Sequence, residues 1–141
     1  MPLSAIGYIS HAVPPWDRAC FETLVQRAAA FNLQVGVTGV VLFDGRRFFQ
    51  YIEGPPEGLR AAYARVLRSH DHTDLMELGR AQLGRRLVPY WSMHWLLADP
   101  TQVRAVAYAD WTGFIPTTRW QESPRFGTEH LLSYLRPHVS A

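Results

Sequence analysis

The chain has 141 residues, of which 48% are hydrophobic and 13% aromatic, and its net charge is +2. This length predicts one domain with a sizeable core, and the single cysteine, Cys20, excludes a disulfide framework and favours a reducing cytoplasm. The basic residues, all arginines, are scattered, which argues against a nucleic-acid partner, and the apolar runs fall short of the roughly 20 residues that a membrane span needs.

Apolar patterning predicts nine elements along the chain. The residues before 98 predict strand, helix, strand, strand, helix, strand and strand over 3–10, 16–30, 35–43, 47–53, 57–69, 75–83 and 90–97. Two further helices are predicted over 100–110 and 126–136, with a loop over 111–124 between them. The first helix follows Pro14-Pro15, and Asn32 falls just past its predicted end. Asp44-Gly45 is a strong signal for a tight hairpin between the second and third strands.

This order, βαββαββ, predicts an α+β domain of the ferredoxin-like class with a five-stranded sheet. Right-handed crossovers place the first two helices on one face of the sheet, and the groove between them suits a planar ligand. We expect the two short C-terminal helices to cover the other face. Residues 1–97 would then be the core, and residues 98–141 a helical cap rather than a separate domain.

One polar side chain in the hairpin is conspicuous. Gln50 lies among large apolar residues of the returning strand, and a buried amide without a partner is costly. Tyr8, in the first strand, is a candidate partner. An amide facing a phenol and a third group can act as a switch, because either end of the amide can form a hydrogen bond.

Together with other motifs along the chain, these residues resemble the BLUF family, blue-light sensors that bind a flavin. The resemblance runs from about Leu3 to Met93, and its motifs occur in the family order. They are Tyr8-Ile9-Ser10, Asn32 with Gly36-Val37-Thr38-Gly39, Phe48-Phe49-Gln50 with Glu53-Gly54-Pro55, and Trp91-Ser92-Met93. Each motif alone is weak, but four in order are specific.

The resemblance implies a role for each matching residue around the flavin ring. Tyr8 would be the electron and proton donor to the excited flavin, and Gln50 would lie between Tyr8 and the flavin atoms N5 and O4 and rearrange after light. Asn32 would hold the carbonyl and N3 edge of the ring. Trp91 and Met93 would lie on the fifth strand beside Gln50.

Further matching positions would complete the pocket. The resemblance implies that Leu24 and Val66 are apolar walls on the two faces of the ring and that His72 belongs to the cofactor site. The family usually has aspartate, any residue, arginine and histidine after the second helix, but here Ser69 and Asp71 replace the aspartate and the arginine.

Because this arginine is missing, it stays open which residue would help to bind the flavin in its place. Arg65 and Arg68, in the same predicted helix, are candidate replacements, although a solvated helix surface is the simpler interpretation of both. Phe31, before Asn32, replaces a residue that is often polar in the family. His70 and His72 around Asp71 suggest a metal site only weakly, because no third ligand follows at a suitable spacing. We expect no metal.

The function predicted from these features is a blue-light photoreceptor. The expected cofactor is FAD, with FMN as the alternative. The residues after Met93 are too few for a catalytic domain, so we expect no enzymatic activity, and the signal would pass to a partner protein or through self-assembly as a homo-oligomer. The alternative functions are a flavin-free interaction module of the same fold and a small acyl-phosphate hydrolase on a ferredoxin-like fold.

Overall fold

A computed structural model describes residues 3–13, 18–69, 72–89, 91–107 and 131 of the chain. Those residues contain, in chain order, β1 (Leu3–Ala12), α1 (Arg18–Val35), β2 (Thr38–Phe43), β3 (Arg47–Gly54), α2 (Pro56–Arg68), β4 (His72–Leu83), β5 (His94–Leu97) and α3 (Pro100–Ala107). The predicted order is confirmed through α3. The predicted loop over 111–124 and the helix over 126–136 fall outside the described residues, except Leu131, which is helical and buried.

The strands form one mixed sheet in the order β4-β1-β3-β2-β5. All neighbouring pairs are antiparallel except β2 and β5, which are parallel. This is the predicted ferredoxin-like arrangement with a fifth strand added at one edge. The central pair of strands, β1 and β3, places Tyr8 directly opposite Gln50.

Each face of the sheet has its own hydrophobic core. On one face, Ile6 and Ile52 pack with Phe21 and Val25 of α1 and Leu59 of α2. The other face buries Ala5, Val40, Leu42, Phe49 and Tyr51 together with Val103 and Val106 of α3 and Leu131. Both sides of the sheet are therefore covered, as predicted. No helix in the described part of the chain is long and apolar enough to cross a membrane.

Two element boundaries differ from the prediction at positions that matter for the site. Asn32 does not follow α1 but lies within it, because the helix continues to Val35. Gly36 comes next, and its φ of +75° suits glycine at the end of a helix. The fifth strand begins at His94, so the prediction that Trp91 and Met93 lie on it was wrong. Before the strand begins, the carbonyl of Ser92 accepts a hydrogen bond from the Asn32 side chain.

Strands β2 and β3 approach each other closely at Gly39. A Cβ atom at this position would lie 2.4 Å from the carbonyl oxygen of Tyr51 and 2.8 Å from the Ile52 side chain. Its N–H also donates to the carbonyl of Trp91 at 3.0 Å. Glycine at this position therefore lets β2 and β3 approach this closely.

We expect Gly39→Ala to destabilise the protein by about 1–3 kcal/mol, because the obstructing atom belongs to the backbone and must shift. Urea unfolding measures the change. Gly84→Ala is the matched control, since a Cβ at Gly84 meets nothing within 4 Å. Equal stabilities of the two variants would contradict this account of Gly39.

A buried carboxylate connects the end of β3 to the segment after β4. Glu53 is 0% exposed, and its carboxylate accepts hydrogen bonds from the backbone N–H groups of Leu87 at 2.8 Å and Val88 at 3.3 Å. The Arg86 guanidinium donates to the Gly36 carbonyl at 2.7 Å and to the Thr38 hydroxyl at 2.8 Å. These contacts fix residues 86–88 against the hairpin and so direct the chain toward β5.

Burial raises the pKa of Glu53 above the usual value for glutamate, although the Leu87 and Val88 N–H groups and the charge of Arg86 act in the opposite direction. The folded protein therefore binds this proton more tightly than the unfolded chain does. The resulting stabilisation is complete below the unfolded-state pKa, about 4.3, and is lost as pH rises through the folded-state value.

We expect the free energy of unfolding of the wild type, relative to that of Glu53→Gln, to fall as pH rises above the unfolded-state pKa of about 4.3 and through the raised folded-state value. The glutamine variant lacks the titrating group, so the difference isolates Glu53 from the other carboxylates. Urea unfolding at each pH measures it. A difference that grows with pH would show that the hydrogen bonds to the carboxylate outweigh its burial.

Candidate functional site

A cavity lies between α1 and α2 on the helix-covered face of the sheet. Most of the side chains that line it are apolar. The polar side chains that line it are the His72 imidazole and four others. The apolar set is Phe21, Leu24, Val25, Ala28, Val41, Phe48, Val66 and Met93, and the polar set is Ser10, Gln50, Arg65 and Ser69. The free volume is about 50 Å³, room for roughly one or two water molecules. A larger planar ligand would require the two helices to separate.

The pair predicted from the sequence meets beside this cavity, which Gln50 lines. The Tyr8 hydroxyl donates a hydrogen bond to Oε1 of Gln50. Tyr8 is 0% exposed, and burial raises its pKa well above the usual value, so the phenol is neutral and keeps its proton to donate. The sequence prediction that Gln50 has a phenol as its partner agrees with this geometry.

The other end of the Gln50 amide has a much weaker partner. Its Nε2 lies 3.8 Å from Sδ of Met93, and a thioether is a poor acceptor. The amide therefore has one strong and one weak hydrogen bond. A carbonyl or ring nitrogen placed in the cavity would be a better acceptor for this N–H group than the sulfur.

Asn32 is 4% exposed but does not line the cavity. Its Nδ2 donates to the carbonyl of Ser92 at 2.8 Å, across 60 residues of sequence. The carboxamide thus holds the segment between Trp91 and Met93 against α1. This contact leaves the amide oxygen as the part of the group that is not engaged with Ser92.

His72, the first residue of β4, brings an imidazole to the cavity. Its Nε2 lies 3.0 Å from the carbonyl of Val66, at the end of α2. Among the described residues, its Nδ1 is buried and has no hydrogen-bond partner. A buried polar atom in this state is costly, so a polar ligand in the cavity would be stabilised by pairing with it.

Trp91 and Met93 lie on opposite sides of the sheet. Met93 is buried beside Gln50, whereas Trp91 is partly exposed, packs against the α3-side core and stacks on His94 with ring centroids 4.4 Å apart. The expectation that both side chains lie beside Gln50 on one strand is therefore wrong for Trp91. Ser92, the one residue between them, links one core to the other.

The two candidate cations of α2 are separated by the structure. Arg65 lines the cavity, and its guanidinium lies 5.6 Å from the centroid of the Phe31 ring on α1. Arg68 is exposed and does not line the cavity. Asp71 and His70 lie outside the described residues. No group of three or more metal-binding side chains occurs in the part of the chain that the structure describes.

Sequence reasoning missed Ser10 as a cavity residue. It is 2% exposed and follows Tyr8 by two positions on the same strand. Because side chains two apart share a face of a strand, the period could have identified it. Ser69 was noted only as a replacement and also lines the cavity.

A larger groove of about 560 Å³ lies on the other side of α2, between that helix and β4. Tyr63, Arg60 and Arg80 line it, but neither Tyr8 nor Gln50 does. Arg80 is paired with Glu77 at 2.8 Å. The smaller cavity is the better candidate site, because the partly buried Gln50 amide and the orphan imidazole nitrogen of His72 are both there.

Comparison with known proteins points to one family. The family model described as "BLUF: Sensors of blue-light using FAD" matches residues 3–94. The photoactivated adenylate cyclase subunit beta of Euglena gracilis is 30% identical over 100 residues, which are 71% of this chain and 11% of that protein. The blue light- and temperature-regulated antirepressor BluF of Escherichia coli (strain K12) is 34% identical over 76 residues, 54% of this chain and 19% of that protein. The chain thus spans under a fifth of the length of either relative.

A solved structure extends the likeness to the fold. BlrB, a BLUF protein in its dark state, aligns with a TM-score of 0.62 and 26% sequence identity. The alignment covers 74% of this chain and 78% of that chain. Sequence and fold therefore point to the same family, over the residues that contain the cavity.

Proposed function

Because this chain belongs to the BLUF family, the sensors of blue light that use FAD, we propose that it is a blue-light photoreceptor. Flavin would bind between α1 and α2, and light would rearrange the hydrogen bonds of Tyr8 and Gln50. The observation that carries this proposal is the hydrogen bond from the buried Tyr8 to Gln50, whose amide lines a cavity with apolar walls.

The chemistry of the cavity fits a flavin ring. The ring is flat and apolar on its faces, which suits Leu24 on α1 and Val66 on α2, and it is polar along one edge. The Gln50 N–H group and the orphan Nδ1 of His72 are the polar groups that would meet that edge. When bound, the flavin would supply the light absorption and accept an electron.

Binding would require α1 and α2 to separate, because the cavity is smaller than a flavin ring. The two helices touch tightly at Gly58, where a Cβ would lie 2.0 Å from the Val35 carbonyl oxygen. The cavity is at the other end of the pair, beside Phe21 and Val66. The helices would therefore open about the Gly58 contact while remaining packed there.

Each site residue has a role in this proposal. Tyr8 would donate an electron and a proton, and Gln50 would reorient its amide. Met93 would respond, since it would gain or lose the Gln50 N–H contact, and Trp91 would carry that change to the other face. Asn32 would hold the carbonyl and N3 edge of the ring, with the amide oxygen that Ser92 leaves available accepting from the N3 N–H group.

The output follows from the same reasoning. We place the sensor in residues 1–97 and treat residues 98–141 as a cap, because α3 packs on the second face through Val103 and Val106. The domain would have no catalytic activity and would signal to a partner protein or through a homo-oligomer. FAD is the proposed cofactor, with FMN as the second choice, and the proposed location is the cytoplasm.

The first experiment is an absorbance spectrum of the purified protein with added FAD, before and after blue light. We expect a bound flavin whose band shifts slightly to the red and relaxes in darkness, because the hydrogen bonds to the ring change after excitation. Protein irradiated with red light is the control. Failure to bind FAD or FMN would overturn the photoreceptor and favour the flavin-free interaction module.

We expect Gln50→Leu to bind flavin but to lose the light-induced shift, since leucine has no amide to reorient. Tyr8→Phe should lose it as well, because the hydroxyl that donates to Gln50 is gone. The matched controls are Gln26→Leu, on the exposed side of α1, and Tyr63→Phe, whose ring packs 5.5 Å from that of Tyr8. An unaltered shift in either site variant would refute the role of that residue.

A further inference from the structure

The groove between α2 and β4 is a second possible ligand site. Its volume of about 560 Å³ is in the range of small-molecule sites. Among the described residues, it shares no lining side chain with the cavity that contains Gln50. Helix α2 packs on α1, β1 and β3, while β4 lies at the edge of the sheet next to β1. The groove is therefore the space beside α2 over the edge strand.

Regular secondary structure holds both walls of this groove. One wall is a single face of α2, whose lining residues recur at helical spacing and are Pro56, Leu59, Arg60, Tyr63, Ala64 and Leu67. On the sheet side, Ile6 lies opposite Arg80, and Ser4 lies opposite Gln82. Side chains that lie opposite each other on neighbouring strands share a face, so these four point to the same side of the sheet.

Most of the residues that line the groove are apolar, and one large side chain among them is left in water. Ile6 is 1% exposed and Leu59 is 9% exposed, whereas Leu67, on the same face of α2, is 57% exposed. Covering exposed apolar surface is favourable roughly in proportion to the area removed from water. A ligand with an apolar body would therefore gain affinity by covering Leu67.

The charge of the groove is positive. Two arginines line it, and no carboxylate does so among the described residues. Arg80 is neutralised by Glu77, which it binds through Nε at 2.8 Å and through Nη2 at 2.9 Å. Arg60 is exposed and belongs to none of the ion pairs in the described part of the chain. One positive charge is thus left uncompensated, and it is complementary to a ligand with one negative charge.

We propose that this groove binds a small amphipathic carboxylate such as a medium-chain fatty acid. Arg60 would bind the carboxylate, and the apolar chain would lie against Leu59 and Leu67. The strand side of the groove is formed by residues 4–6 and 80–82, a length of about 7 Å along each strand. That length suits a small molecule better than a helix of a partner protein. The proposal does not depend on flavin binding.

Calorimetric titration of the full-length protein with decanoate, below its micelle concentration, tests the proposal. Decanol has the same chain without the charge, and decyltrimethylammonium has the opposite charge. The site variants are Arg60→Gln and Leu67→Gln, both at exposed positions where the fold tolerates a change. Their matched controls are Arg68→Gln, exposed on the same helix, and Leu33→Gln, on α1 and 74% exposed; neither lines the groove.

We expect one decanoate per chain, and binding of decanol and of the cation weaker by about tenfold or more. Arg60→Gln should weaken decanoate by about tenfold and leave decanol unchanged, because only the charged head contacts Arg60. Leu67→Gln should weaken both ligands. Added salt should weaken decanoate binding in the wild type and have less effect in Arg60→Gln. Both control variants should bind as the wild type does.

Three results would overturn the proposal. The first is the absence of saturable decanoate binding to the wild type, and the second is an equal loss in Arg60→Gln and Arg68→Gln, which would indicate general charge attraction. The third is sedimentation with phosphatidylglycerol vesicles without binding of free decanoate, which would assign this face to a membrane surface. Failure of the protein to bind flavin would overturn the photoreceptor and leave this proposal in place.

Discussion

The buried carboxylate of Glu53 determines where the residues of the site can lie. It accepts the N–H groups of Leu87 and Val88, and Arg86 binds the backbone at Gly36 beside it. The segment that follows must then run along β2, where the Asn32 side-chain amide donates a hydrogen bond to the Ser92 carbonyl. Met93 reaches Gln50 as a consequence. Burying the carboxylate opposes stability at neutral pH, and this cost is offset by hydrogen bonds that fix a segment without regular secondary structure.

The Gln50 amide has the properties of a two-state element. Its oxygen accepts from a neutral, fully buried phenol, while its nitrogen faces the sulfur of Met93 at 3.8 Å. If the amide reversed, the Tyr8 hydroxyl would face its N–H donor and no longer its acceptor oxygen. The two orientations therefore differ in energy by little more than their hydrogen bonds. A ligand that accepts from one orientation and donates to the other can shift the balance by a few kcal/mol at most, which is sufficient to change which state is populated.

Local patterns predicted the sheet and the central pair well. Asp44-Gly45 fixes the hairpin, and strand alternation then places Gln50 on the face that Tyr8 shares. The contact of Asn32 with the segment before β5 could not be predicted in the same way, because it is a hydrogen bond between residues 60 apart in sequence. Gly36, by contrast, is a local signal that could have placed the end of α1 after Asn32. The difference between Arg65 and Arg68 depends on the rotation of α2 against α1, which a short helical pattern does not specify.

Segment 91–93 links the two faces of the sheet over a very short distance. Met93 belongs to the core beneath α1 and α2, while Trp91 packs with the core that contains Val103 and Val106. Two hydrogen bonds hold this segment: the Gly39 backbone N–H donates to the Trp91 carbonyl, and the Asn32 side-chain amide donates to the Ser92 carbonyl. Closely packed cores contain few voids that could absorb a displacement. Movement of Met93 would therefore be transmitted to Trp91, two residues away. The α3 side of the sheet, and not the helices that would enclose a ligand, is therefore the face on which a change at Gln50 would be read.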